Sequence, residues 1–177
     1  MFIDVHCHLT GGEYEGVGGV EAVLSRARDA GVTAFVSSGF DLASSRAAAE
    51  ELGKYREGDL AEIAALAKES KCVAVGEIGL DYHFPDNPPR ELQRELFVRQ
   101  LRLADELGLP VVVHSRDGAA ETLELLQSEA DRLRFGGLMH CYSYSAEMVG
   151  AFAALGMYFS FGGTSTFRNA KKVQESA

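Results

Sequence analysis

Five residues able to hold a metal ion stand at or near the carboxyl ends of short apolar runs in this 177-residue chain. His6 and His8 close the run that begins Phe2-Ile3, Glu77 follows Val73-Ala74-Val75-Gly76, His114 follows Val111-Val112-Val113, and His140 follows Phe135-Gly136-Gly137-Leu138-Met139. Two residues apart on an extended strand, His6 and His8 point to one face and Cys7 to the other. Neutral imidazole and carboxylate together suit zinc, manganese, iron and related divalent ions. One glutamate among four histidines can bridge two ions, one activating water while both hold a phosphate oxygen. Taken alone, each histidine reads equally as a satisfied core residue, and Glu77 as a carboxylate bonded to loop amides. Their recurrence on separate segments, using four of the five histidines in the chain, points to a metal site.

The elements that must position these residues alternate along the chain. Apolar and β-branched runs predict strands over 2–8, 33–38, 72–77, 110–114, 134–140 and 157–160. Helical spacing predicts helices near 20–30, 43–52, 60–70, 90–107, 118–129, 145–154 and 168–176. Thr10-Gly11-Gly12 breaks the chain after the first strand, and Asp59-Leu60-Ala61-Glu62 spells a capping box. Leu92, Leu96, Leu103 and Leu107 mark the expected buried face of the longest helix, which Gly108 stops before Pro110 opens the next strand. Strands apolar on both faces, such as Val111-Val112-Val113, belong to a parallel sheet covered on both sides. The class is therefore α/β, either a barrel or an open doubly wound sheet, and such folds build their sites at the carboxyl ends of the strands.

Composition bounds the rest. Hydrophobic residues at 46% and charged residues at 24% are those of an ordinary globular chain, and its length fits one domain. No apolar run reaches the roughly 18 residues of a membrane span, and the N-terminal stretch carries Asp4 and His6 in place of a signal peptide's basic and apolar regions. Cys7, Cys72 and Cys141 form no paired motif, as expected of reduced thiols, so the expected location is cytoplasmic, with no membrane partner. With 17 basic against 26 acidic residues the net charge is −9, which excludes non-specific attraction to nucleic-acid phosphates. Bound cations would give an anionic substrate its one point of approach.

"FIDVHCHL", "GEIGLDYHF", "VVVHSRD" and "MHCYSYS" resemble the successive motifs of the TatD family of metal-dependent deoxyribonucleases, in the amidohydrolase-like superfamily, and "FSFGGTSTFRNAKK" resembles that family's seventh-strand region. The resemblance covers nearly the whole chain. It implies a TIM-type (β/α)8 barrel, two divalent ions (Mg, Mn or Zn), DNA as substrate and hydrolysis of its phosphodiester bonds, often exonucleolytic. It also implies that His6, His8, Glu77, His114 and His140 are the metal ligands, with Glu77, His114 and Arg116 at the reacting atoms. Arg116 would meet a phosphate, as its planar donor fork suits; the plainer alternative is a solvated loop charge or an ion pair with Asp117. The chain departs from the family pattern in two places. No apolar third strand is legible near 53–59, and the family's late Thr-Asp-Ser/Ala-Pro motif, whose aspartate is a ligand and base, does not occur before Ala177. About six strand–helix units are therefore expected, in one hydrolase domain over 1–177 that is shortened at its C-terminus. Two other readings stay open: a metal-binding but catalytically incomplete remnant, and a hydrolase of small esters or lactones.

Several residues support two readings each. In Asp81-Tyr82-His83, either Tyr82 and His83 line a substrate pocket or Asp81 caps a turn while the rings cover the site's mouth. Ser143 bonds a phosphate oxygen or caps a loop. Asp4 orients a ligand imidazole or fills a polar layer. Cys7 and Cys141 are expected to turn away from the histidines as inert thiols. Phe161-Gly162-Gly163-Thr164 reads as a tight turn in preference to a phosphate cradle.

Overall fold

The alternating apolar runs and helical stretches become six parallel strands and six α-helices in the computed structural model, which describes residues 2–9, 12–37, 59–68 and 72–177. These divide into two compact units, Met1–Glu51 and Leu52–Ala177.

In the first unit, strand β1 (Phe2–Cys7) leads through a 3-10 turn (Gly12–Val17) and helix α1 (Gly19–Asp29) to strand β2 (Val32–Ser37). The strands pair in parallel, with register irregularities between Phe2 and Ile3 and between Asp4 and Cys7. Gly31, at φ 91°, makes the turn from α1 into β2, and its carbonyl accepts from the Phe2 backbone N–H. None of this unit's described residues is fully buried, and Phe2 and Ile3 are exposed.

The second unit opens with helix α2 (Asp59–Leu66), followed by β3 (Val75–Asp81), α3 (Arg90–Leu107), β4 (Val111–Arg116), α4 (Ala119–Ser128), β5 (Gly137–Met139), α5 (Ala146–Ala153), β6 (Met157–Phe159) and α6 (Lys171–Ser176). Its sheet has the order β3-β4-β5-β6, every pair parallel. Ile78 and Leu80 of β3, Val111 and Val113 of β4 and Met139 of β5 are buried together with Phe97, Leu101, Leu126 and Phe152 from the helices. The Tyr142 ring packs edge-on against Tyr144, Phe152, Phe159 and Phe161.

Two expectations change. Strand β3 begins at Val75 and runs on to Asp81, so Glu77 lies within the strand and not at its end; likewise β4 passes His114 to Arg116. In the structure Gly79, at φ 140°, lies opposite His114, where a side-chain carbon would overlap the His114 carbonyl. The buried face of α3 is also rotated from the predicted one: Gln93, Leu96, Phe97, Gln100, Leu101 and Ala104 face inward and Leu92 is exposed. Gln93 is anchored on that face: its side chain accepts from the Asp81 backbone N–H (2.8 Å) and donates to the Asp81 and Pro88 carbonyls (3.0 and 2.7 Å). Gly108 ends α3 in the left-handed conformation, as its position predicted. The predicted helix over 43–52, residues 53–58 of the segment without a legible strand, and Thr10-Gly11 lie outside the described residues.

Candidate metal centre

In the first unit the His6 and His8 rings meet edge to face, 4.8 Å between centroids, with their Nε2 atoms 3.1 Å apart. Two nitrogens on one tetrahedral zinc ion stand about 3.3 Å apart, so the pair is spaced as a chelate. The backbone holds it in place. Asp4 Oδ1 accepts from the His6 backbone N–H (3.2 Å), and Tyr14 donates its hydroxyl to the His8 carbonyl (2.8 Å). Asp4 thus holds the strand backbone at His6. The Cys7 thiol donates to the Val36 carbonyl, and burial, followed by the charge of Asp4, pushes its pKa up to about 11. A raised thiol pKa agrees with the inert role expected of Cys7.

In the second unit one carboxylate oxygen organises the cluster. Glu77 Oε1 lies 2.8 Å from His114 Nδ1 and 3.1 Å from His140 Nε2. On the far side of the His114 ring, Nε2 is buried and lies 3.4 Å from Asp81 Oδ2. The His114 and His140 rings are tilted 30° to each other at 6.2 Å. Two carboxylates and two imidazoles thus converge from three strands or strand ends; His140 follows β5, its N–H bonded to the Val113 carbonyl. Burial alone would lower the His114 pKa, but the hydrogen bond and charge of Glu77, aided by Asp81, outweigh it and hold the pKa above the usual value. A cluster that attracts a proton against burial has the electrostatics to attract a cation, which fits this donor set to a divalent ion.

Asp81 was not among the expected ligands, although it lies four residues beyond Glu77, on the same face by alternation. It also makes the turn, its Oδ1 accepting from the His83 backbone N–H (2.9 Å). Tyr82 turns away: its hydroxyl donates to Glu121 (2.8 Å), Arg90 stacks on its ring, and burial followed by that hydrogen bond pushes its pKa up to about 12. His83 Nδ1 bonds Asp117 (2.9 Å), and among the described residues Asp117 makes no ion pair with Arg116. Arg116 is exposed at the end of β4, its guanidinium 5.1 Å from the Phe84 ring centroid. Ser143 is exposed. Burial, followed by the charge of Glu77, raises the Cys141 pKa. Gly162 and Gly163 lead into a 3-10 turn (Gly163–Thr166) whose Ser165 N–H and hydroxyl both bond the Gly162 carbonyl.

Parallel strands, intervening helices and a carboxylate–imidazole cluster near the strand ends define a hydrolase-type α/β fold with metal-ligand chemistry. The family model for TatD related DNase matches residues 3–177, and the chain belongs to that family of ester-bond hydrolases. It is 36% identical to the uncharacterized metal-dependent hydrolase YabD of Bacillus subtilis, over 99% of this chain and 74% of that one. It is 35% identical to the uncharacterized metal-dependent hydrolase YcfH of Escherichia coli K12, over 100% and 72%. The 3'-5' ssDNA/RNA exonuclease TatD of Cronobacter sakazakii is 33% identical over 81% of this chain and 60% of its own. Among solved structures, the TatD homolog YJJV of Escherichia coli K12 superposes with a TM-score of 0.84 at 32% identity, covering 99% of this chain and 73% of that one. The fold is accordingly of the TIM-barrel type, with six strands among the described residues, two in the first unit and four in the second.

Proposed function

We propose that the chain hydrolyses phosphodiester bonds of DNA with the help of two divalent metal ions, using His6, His8, Glu77, His114 and His140 as ligands. The observation that carries this reading is the position of Glu77 Oε1, within hydrogen-bonding distance of imidazole nitrogens from two other segments. The 3.1 Å spacing of the His6 and His8 nitrogens supports it from the other unit, as does the exonuclease name of the Cronobacter sakazakii relative. When bound, divalent ions would supply a Lewis acid and a water of lowered pKa. The protein's own groups hold the geometry. Glu77 fixes the His114 ring through Nδ1 and leaves Nε2 facing Asp81. Gln93 clamps the Asp81 backbone from both sides, so the second carboxylate is held by α3. Arg116, two residues beyond His114, offers a planar cation to a phosphate.

The test is Glu77→Ala. Metal-dependent cleavage of DNA should disappear while the circular dichroism spectrum and melting curve still report a folded chain. Undiminished cleavage by the folded variant would refute the assignment. Metal content by mass spectrometry after equilibration with manganese or zinc should approach two ions per chain, the number the proposal requires.

A further inference from the structure

Beyond the ligand cluster, the edge formed by β3 and β4 carries an aromatic ring that packing does not explain. Phe84 is 51% exposed, three residues past Asp81. Its orientation is nevertheless determined. The Arg116 guanidinium lies over the ring at 5.1 Å, and the His83 ring meets it edge-on at 4.8 Å and 88°. His83 is itself held twice, through its side chain by Asp117 and through its backbone by Asp81. Asp81 and Arg116 are partners in the strand register, and Arg116 follows His114 by two positions, about 7 Å along the strand.

A second exposed ring with a cation over it shows by contrast what is unusual here. Phe135 carries Arg134 at 5.5 Å, but Arg134 is bound to Asp105 at 2.6 Å and the pair precedes β5, at the opposite end of the strand from His140. Among the described residues no carboxylate pairs with Arg116. It stands at the strand end where the ligand-type residues stand.

We propose that Phe84, braced by Arg116, is a stacking platform for an unpaired nucleobase of a single-stranded nucleic acid, beside the metal-ligand cluster. This rests on the reading that the cluster cleaves nucleic acid. An aromatic face accepts any base, and a base reaches it only when free of a duplex stack. The net charge of −9 sharpens the point. A protein this acidic gains little from general phosphate attraction, so an oriented ring with a guanidinium beside it carries a large share of its hold on a strand.

The experiment is fluorescence anisotropy at low salt on the manganese-equilibrated chain, with phosphorothioate-linked strands, which keep binding separate from hydrolysis. The probes are a labelled oligothymidylate of about ten nucleotides and an abasic strand of equal length. The wild-type chain should bind the thymidylate strand about tenfold more tightly. Phe84→Ala should bring the ratio close to one, and Phe84→Trp should preserve it. Because Phe84 is half exposed, the alanine variant should melt within a few degrees of the parent. Equal binding of the two strands by the wild type, binding of neither, or an unchanged ratio in Phe84→Ala would each overturn the platform. None of these outcomes bears on metal-dependent cleavage, which the Glu77 variant tests separately.

Discussion

The two units hold their ligand-type residues in opposite ways. In the first, His6 and His8 are neighbours in sequence on a strand pair whose described residues include none that is fully buried. In the second, Glu77 meets His114 across 37 residues of chain, over a sheet in which Ile78, Leu80, Val111 and Val113 are almost wholly buried. A pair built by local spacing needs little core to be correct, because strand alternation alone puts both rings on one face. A pair built across strands is only as accurate as the packing that sets the register.

Experiments can sharpen this contrast, beginning with the largest effect. Glu77→Gln keeps the side-chain size but removes the charge between two imidazoles; metal affinity should fall at least about 100-fold, measured by titration with zinc or manganese. His8→Ala should also weaken metal binding, while the melting of the second unit stays unchanged. A matching loss of stability there would break the contrast.

Next come the cores. Phe97→Ala, at a fully buried position, should cost about 3–5 kcal/mol in chemical denaturation, whereas Phe35→Ala on the partly exposed β2 should cost only about 1 kcal/mol. Equal costs would mean that the first unit is as firmly packed as the second. Gln93→Ala should cost about 1–3 kcal/mol, because it removes a buried side chain bonded to Asp81 and Pro88. Hydrogen exchange should be slowest at the β3–β4 amides and faster at β1–β2, following the difference in burial.

The smallest effect is acid sensitivity. The Arg94 hydrogen bond, with that of Tyr82, holds Glu121 below the ordinary carboxylate range, and the Arg102 hydrogen bond does the same for Glu129. A carboxylate depressed in the folded state contributes stability above its unfolded pKa and loses it as the pH falls. The melting temperature should therefore drop between about pH 5 and pH 3, and less so in Glu129→Gln. A variant as acid-sensitive as the parent would exclude Glu129 as a source.

Much of this was legible in the residues themselves. The HxH face at His6 and His8, the stop at Gly108, the inert thiol of Cys7 and the strand–helix alternation all follow from dihedral preference, side-chain alternation and composition, which act between near neighbours. The sequence motifs also carried the family. The actual ends of β3 and β4, the inward face of α3 and the place of Asp81 were not legible. The use of Gly79, letting β3 approach the His114 carbonyl, involves a partner 35 positions away that no local pattern reveals. Gln93 was not among the residues expected on the inward face, because an amide is buried only where partners wait for it, here the Asp81 backbone. The sequence by itself determined which chemistry the chain carries and the order in which the elements present it. Tertiary structure decided which carboxylate faces which imidazole, because those distances depend on strand register and core packing and not on neighbouring residues.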